Sequence, residues 1–143
     1  MTANSTTDLL REHNLRPTRQ RMALAALLFD GTARHVTAES LHDQVKDMGI
    51  TLSLATIYNT LHQFTNVGLL KEIKGIGDAK WFDTNIDQHH HFFDISNDHL
   101  IDIPASSITI SHLPASPDGK VIDGVDVIVR LSDKSSQKPS GKN

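Results

Sequence analysis

The chain contains no cysteine. Disulfides, cysteine-ligated zinc and thiol catalysis are therefore excluded together, and a reducing cytoplasm is the expected setting. Aromatic residues make up only 5%, with one Trp and one Tyr. No apolar run approaches the roughly 20 residues needed to span a bilayer. Met1 to Asp8 is polar and lacks the apolar stretch of a signal peptide, so no membrane partner is expected. A basic excess is also missing, since the formal net charge is −3. Its distribution matters more than its sum. Residues 1–84 hold nine Lys/Arg against nine Asp/Glu, whereas residues 85–143 hold five against eight. Arg11, Arg16, Arg19 and Arg21 gather around the single acid Glu12. A basic patch on a neutral body is sufficient for contact with a phosphate backbone.

What is present begins with helical punctuation. Thr7 to Asn14 reads as a first helix, broken at Leu15-Arg16-Pro17. Thr18 can cap a second, nearly all-apolar helix to about Phe29, expected to be the hub of a small core. Thr37 caps a third, Ala38 to Met48, with Leu41, Val45 and Met48 as its stripe. Ser53 caps a fourth, ended by Gly68, where a left-handed residue is cheapest. Leu54, Ile57, Leu61 and Phe64 recur at helical spacing there. The opposite face of this helix presents Ala55, Thr56, Asn59, His62, Gln63 and Asn66, with Tyr58 on its flank. Small and amide-rich, it can approach base edges closely, although an ordinary solvated face would look similar. Leu69 to Ile73 and Ala79 to Asp83 read as a hairpin turning at Gly75–Asp78. Helices followed by a hairpin make a winged helix-turn-helix, with Lys74 and Lys80 placed to meet a phosphate backbone.

A second unit starts near Thr84. Gln88 to Ile95 and Leu100 to Ile103 read as strands, Ser106 to Leu113 as a short helix, and Lys120 to Leu131 as the strongest strand signal. This unit is small for independent stability, so dimerisation is expected. It contains three consecutive histidines. In a strand, His89 and His91 share one face and His90 takes the other. Two imidazoles on one face, with Asp83, Asp87 and Asp94 nearby in sequence, can ligate a metal or a haem iron. His35 is a candidate remote ligand. All-His/carboxylate donors suit Fe2+, Mn2+ or Zn2+, while Phe92 and Phe93 could wall a haem. These residues leave the two choices open. A hydrolytic metalloenzyme and a winged helix used only for protein contacts are the other classes, and an enzyme is not expected.

Several stretches together resemble the ferric uptake regulator family: Leu15-Arg16-Pro17-Thr18-Arg19-Gln20-Arg21, His35-Val36-Thr37-Ala38-Glu39, Ser53 to Leu61, Gly68-Leu69-Leu70 and His89-His90-His91. Within that family, Trp81 to Asn85 running into His89 to Phe93 is similar to the iron response regulators of rhizobia. The polar composition of 132–143, with Pro139 and Gly141, reads as a disordered tail. The resemblance implies an α+β fold, with a winged helix-turn-helix DNA-binding domain at 1–84 and a small α/β dimerisation and sensing domain at 85–131. It implies a cytoplasmic homodimer on double-stranded promoter DNA that represses haem-synthesis and iron-storage genes under iron limitation and is released by haem. A repressor activated by ferrous iron or manganese is the alternative. By position, the DNA contacts are Arg16, Arg19, Arg21, Ala55, Thr56, Tyr58, Asn59 and Lys80. The metal ligands are His35, Asp83, His89 and His91, with Asp102 near a further carboxylate position. The haem ligands are His89, His90 and His91. Asp94 and Asn97 stand where the family usually has Cys-x-x-Cys, so no cysteine-ligated structural zinc is implied.

Overall fold

The computed structural model describes residues 3–134, and the expected polar tail lies outside them from residue 135 onward. The chain forms two compact units, residues 1–86 and 87 onward. In the first, α1 (Ala3–Glu12) starts earlier than its sequence suggests and ends before Asn14, whose φ is 60°. α2 (Arg19–Leu28) begins at Thr18, whose hydroxyl accepts from the Arg21 N–H at 3.3 Å. β1 (His35–Val36) leads into α3 (Ala38–Asp47). A reciprocal cap closes that entry: the Ser40 N–H donates to Thr37 Oγ1 at 3.1 Å and the Thr37 N–H to Ser40 Oγ at 3.0 Å. α4 (Leu54–Asn66) is capped by Ser53, whose hydroxyl accepts from Thr56 N–H at 3.1 Å.

The core of this unit is Leu10, Leu24, Leu28, Leu41, Val45, Ile57, Leu61, Phe64 and Phe82, all fully buried. Two expected stripe members differ. Leu54 is 41% and Met48 58% exposed. Leu54 is the first residue of its helix, where the stripe runs out into solvent. Thr60, six residues on, is buried, and its hydroxyl donates to Thr56 O at 2.8 Å and so enters the core satisfied. Met48 is the C-cap of α3 and has left the helical path. β2 (Lys71–Ile73) and β3 (Trp81–Asp83) form the hairpin, and β1 adds antiparallel to β3, giving the order β1-β3-β2.

The second unit is a three-stranded sheet in the order β5-β4-β6. β4 (His89–Asp94) pairs antiparallel with β5 (His99–Pro104) and parallel with β6 (Ile128–Leu131). The expected helix at Ser106–Leu113 is reduced to a 3-10 turn, Ala105–Ser107. Ile108-Thr109-Ile110 is β-branched and Pro114 follows, so neither propensity nor backbone donors favour a helix there. The expected strand from Lys120 shrinks to its last four residues, because Gly124 and the acids Asp123 and Asp126 interrupt the run. Among the described residues, no helix is long and apolar enough to cross a membrane.

Candidate metal centre and nucleic-acid face

The polar face of α4 lies beside the start of α2. A recess of about 210 Å³ between them is lined by Thr18, Arg21, Thr56, Asn59 and Gln63. Ala55 and Asn59 are exposed, as are Arg16 in the α1–α2 loop and Arg19 at the first residue of α2. Arg21 is half-buried and bonded internally: its Nε donates to Gln63 Oε1 at 3.1 Å and its Nη1 to the Arg16 carbonyl at 2.9 Å. Tyr58 is not a free flank residue. Lys80 Nζ sits 5.5 Å from its ring centroid, His62 tilts against it at 4.9 Å, and Phe82 meets it edge-on at 6.4 Å. The hairpin and α4 therefore meet through a cation–aromatic contact. Sequence reasoning placed His62 and Gln63 on this face without giving either a task. Their i, i+4 and α2–α4 contacts depend on packing, although the Tyr58/His62 spacing was legible.

Among the described residues, each unit contributes metal-capable donors. In the first, the β1–β3 register sets His35 opposite Asp83. His35 Nε2 lies 3.2 Å from Asp83 Oδ2, and Asp83 is fully buried. The other oxygen, Asp83 Oδ1, accepts the backbone N–H of Asn85 at 2.9 Å. One carboxylate thus faces an imidazole and also holds the Asn85 N–H.

In the second unit, His89 and His91 share a face of β4, their rings 4.5 Å apart, and the β4–β5 register puts Asp102 opposite His91. Asp102 Oδ1 is 3.1 Å from His89 Nε2 and 3.4 Å from His91 Nε2. His89 Nδ1 lies 2.6 Å from the Asp87 carbonyl oxygen, which can only accept, so Nδ1 carries the ring proton. His89 Nε2 then faces the carboxylate oxygen, as a donor in the protonated ring and as a lone pair in the neutral one. In the neutral ring two acceptors face each other, an arrangement that a bound cation would resolve, and the Nδ1–H···O=C bond is the usual way a ligating imidazole is held. The donors fit a divalent ion of the Fe2+, Mn2+ or Zn2+ type.

His90 has a different position from its neighbours in the expected haem triplet. It points to the other face of β4, where its Nδ1 accepts the Val127 N–H at 3.0 Å and so anchors the approach to β6. Two imidazoles, not three, share the face with Asp102. Asp94 accepts from the N–H groups of Ser96 and Asn97 at 3.1 and 3.3 Å and from the Asn97 side-chain amide at 2.9 Å. These bonds hold its carboxyl below the usual range, the Asn97 side chain first among them.

A profile described as the ferric uptake regulator family matches residues 12–115. The ferric uptake regulation protein of Shigella flexneri is 36% identical over 101 residues, 71% of this chain; the match spans 62% of that relative's length. Among solved structures, the ferric uptake regulator of Pseudomonas aeruginosa with manganese superposes with a TM-score of 0.66 at 22% identity, covering 94% of this chain and 99% of the other. The Vibrio cholerae ferric uptake regulator gives 0.68 at 18% identity, covering 89% and 98%, and its structure is described as showing rearranged DNA-binding domains. Fold, family motifs and sequence identity agree: the chain belongs to the ferric uptake regulator family, whose members are transcription regulators and not enzymes.

Proposed function

We propose that this chain is a divalent-metal-activated, DNA-binding repressor of the cytoplasm, working as a homodimer with residues 1–86 as winged helices. The observation that supports it best is the pair of imidazole nitrogens facing Asp102, on a family member with a basic α1–α2 loop. α4 is read as the helix entering the major groove, with Ala55, Thr56, Tyr58 and Asn59 toward bases and Arg16, Arg19 and Lys80 toward phosphates. His35 and Asp83, and His89 and His91 with Asp102, are the proposed metal ligands. A bound divalent cation supplies the positive charge that lets these carboxylates and lone pairs converge. Asp83 then links ligation to backbone, since its second oxygen fixes the Asn85 N–H. A ligand can shift DNA affinity only as far as its own affinity differs between the two arrangements.

The finer reading, an iron response regulator released by haem, rests on the triplet and the Trp81–Phe93 run. The geometry gives it two imidazoles on a common face, and nothing in the similarity to known proteins favours it over metal. The test is a gel shift with a duplex selected by the protein from a random pool, run metal-free, with Mn2+ or Fe2+, and with haemin, beside His89→Ala/His91→Ala. Metal should tighten binding of the wild type at least about tenfold, or 1.4 kcal/mol, and leave the variant unchanged. Tight metal-free binding released by haemin would replace this reading with the haem-responsive one. Absence of salt-dependent binding under every condition would reject DNA recognition itself.

A further inference from the structure

Arg21 differs from the other arginines of the basic cluster in that the fold itself uses it. Three of its groups are engaged at once. Its backbone N–H donates to the Thr18 cap, its Nη1 to the Arg16 carbonyl at 2.9 Å, and its Nε to Gln63 Oε1 at 3.1 Å. The Arg16 carbonyl also accepts the Thr18 N–H at 2.9 Å, so one oxygen joins the loop, the cap and the guanidinium. Gln63 lies on α4, 42 residues away in sequence. It lines the same recess as Thr56 and Asn59, two of the residues proposed to face bases.

We infer that Arg21 is a positioning residue rather than a phosphate contact: with Gln63 it forms a bracket that fixes the reading face of α4 relative to the Arg16 loop. This rests on the DNA-binding reading above. The planar guanidinium holds two acceptors in one rigid fork, which a single ammonium on a flexible stem cannot reproduce. Both bonds are charge-assisted and made to neutral acceptors within the protein. The loop that meets the backbone and the helix that meets the bases are thereby set in one register. Loss of the bracket lets them vary independently, which costs sequence discrimination before it costs non-specific affinity.

The experiment compares full-length Arg21→Lys, Arg21→Met, Gln63→Met, the Arg21→Met/Gln63→Met double variant and Arg16→Ala. The probes are a duplex selected by the wild type and a scrambled duplex, titrated across salt concentrations. A phosphate contact contributes about −0.9 to the slope of log affinity against log salt. Arg16→Ala should lower the slope by about that amount. Arg21→Lys and Arg21→Met should each lose about tenfold for the selected duplex, as expected for a lost charge-assisted bond. The slope and the scrambled-duplex affinity should stay at wild-type values. Gln63→Met should match them, and the double variant should be no worse than either single, because the two side chains form one interaction. A general loss of stability would weaken both duplexes equally and would leave their ratio unmoved. Rescue by Lys, a slope reduced by about one, or additive losses would overturn the bracket and make Arg21 a phosphate contact. A wild type that binds neither duplex would instead reject the DNA reading, and urea unfolding of the same double-mutant cycle would still show whether Arg21 and Gln63 are coupled.

Discussion

Most apolar side chains between Thr18 and Leu70 are buried or half-buried, whereas between Ile108 and Val127 none is fully buried and most are exposed. Both stretches are rich in aliphatics, so composition does not explain the contrast. In the first, caps, helical period and turn residues agree with one another, and each helix finds a neighbour to receive its stripe. In the second, Pro114, Pro117 and Gly124 interrupt the pattern, and the four residues of β6 add to a sheet only three strands wide. An apolar pattern becomes structure only where a complementary surface exists. The largest expected effect follows from that. Phe64, fully buried and tilted against Phe29 at 5.7 Å, sits where the first unit's stripes converge. Phe64→Ala should cost about 3–5 kcal/mol in urea unfolding. A loss under about 1 kcal/mol would mean that this core is far looser than its burial implies.

The opposite substitution sharpens the contrast from the other side. Val121 is 83% exposed and Ile122 47% exposed. Ile122→Asp should leave the unfolding free energy of the monomer within about 0.5 kcal/mol, as for an ordinary surface change. If this stretch is the homodimer surface, sedimentation should show the dimer dissociating at least about tenfold more readily. A core-sized loss of monomer stability would erase the distinction between the two regions.

The same contrast explains what could be read in advance. Thr18, Thr37 and Ser53 were legible as caps because a hydroxyl residue immediately precedes an apolar period, and that cue is local. The burial of Thr60 and the exposure of Leu54 were not, because the inward face of α4 is decided by what packs against it. β1 is two residues long and has no period to detect, yet it alone sets His35 against Asp83. The shared face of His89 and His91 follows from strand alternation. The approach of Asp102 to both depends on the β4–β5 register, which the turn at Ser96–Asp98 fixes and a residue pattern does not. The strand from Lys120 was overextended for the converse reason: alternation was visible, but the number of strands available to pair with it was not.

A smaller effect tests how far local cues carry the first unit. Thr37 and Ser40 form a complete reciprocal cap at the junction between β1 and α3. Thr37→Ala should cost about 1 kcal/mol, and Thr37→Ser should restore most of it. If Ser fails to rescue, the methyl group of the buried Thr37 matters more than its hydroxyl.

The smallest effect concerns the turn between β4 and β5, which carries Asp94 and Asn97. Here one carboxylate collects the Ser96 and Asn97 N–H groups and the Asn97 amide, which closes the hairpin. Those donors favour the charged form, so the carboxyl titrates below its ordinary value of 3.8. A depressed acid stabilises the fold above its unfolded value, and that contribution disappears as pH falls through the folded value. Amide exchange at Ser96 and Asn97, referred to the intrinsic rate at each pH, should therefore show steady protection from neutrality to about pH 4 and a decline below it. Asp94→Asn should abolish that acid-dependent step while the cores of both units stay folded. The protection near neutrality should also survive a chelator. If a chelator opens the turn at pH 7 while Asp94→Asn leaves it closed, metal rather than the Asp94 carboxylate holds this hairpin, and the turn would join the metal-dependent part of the chain.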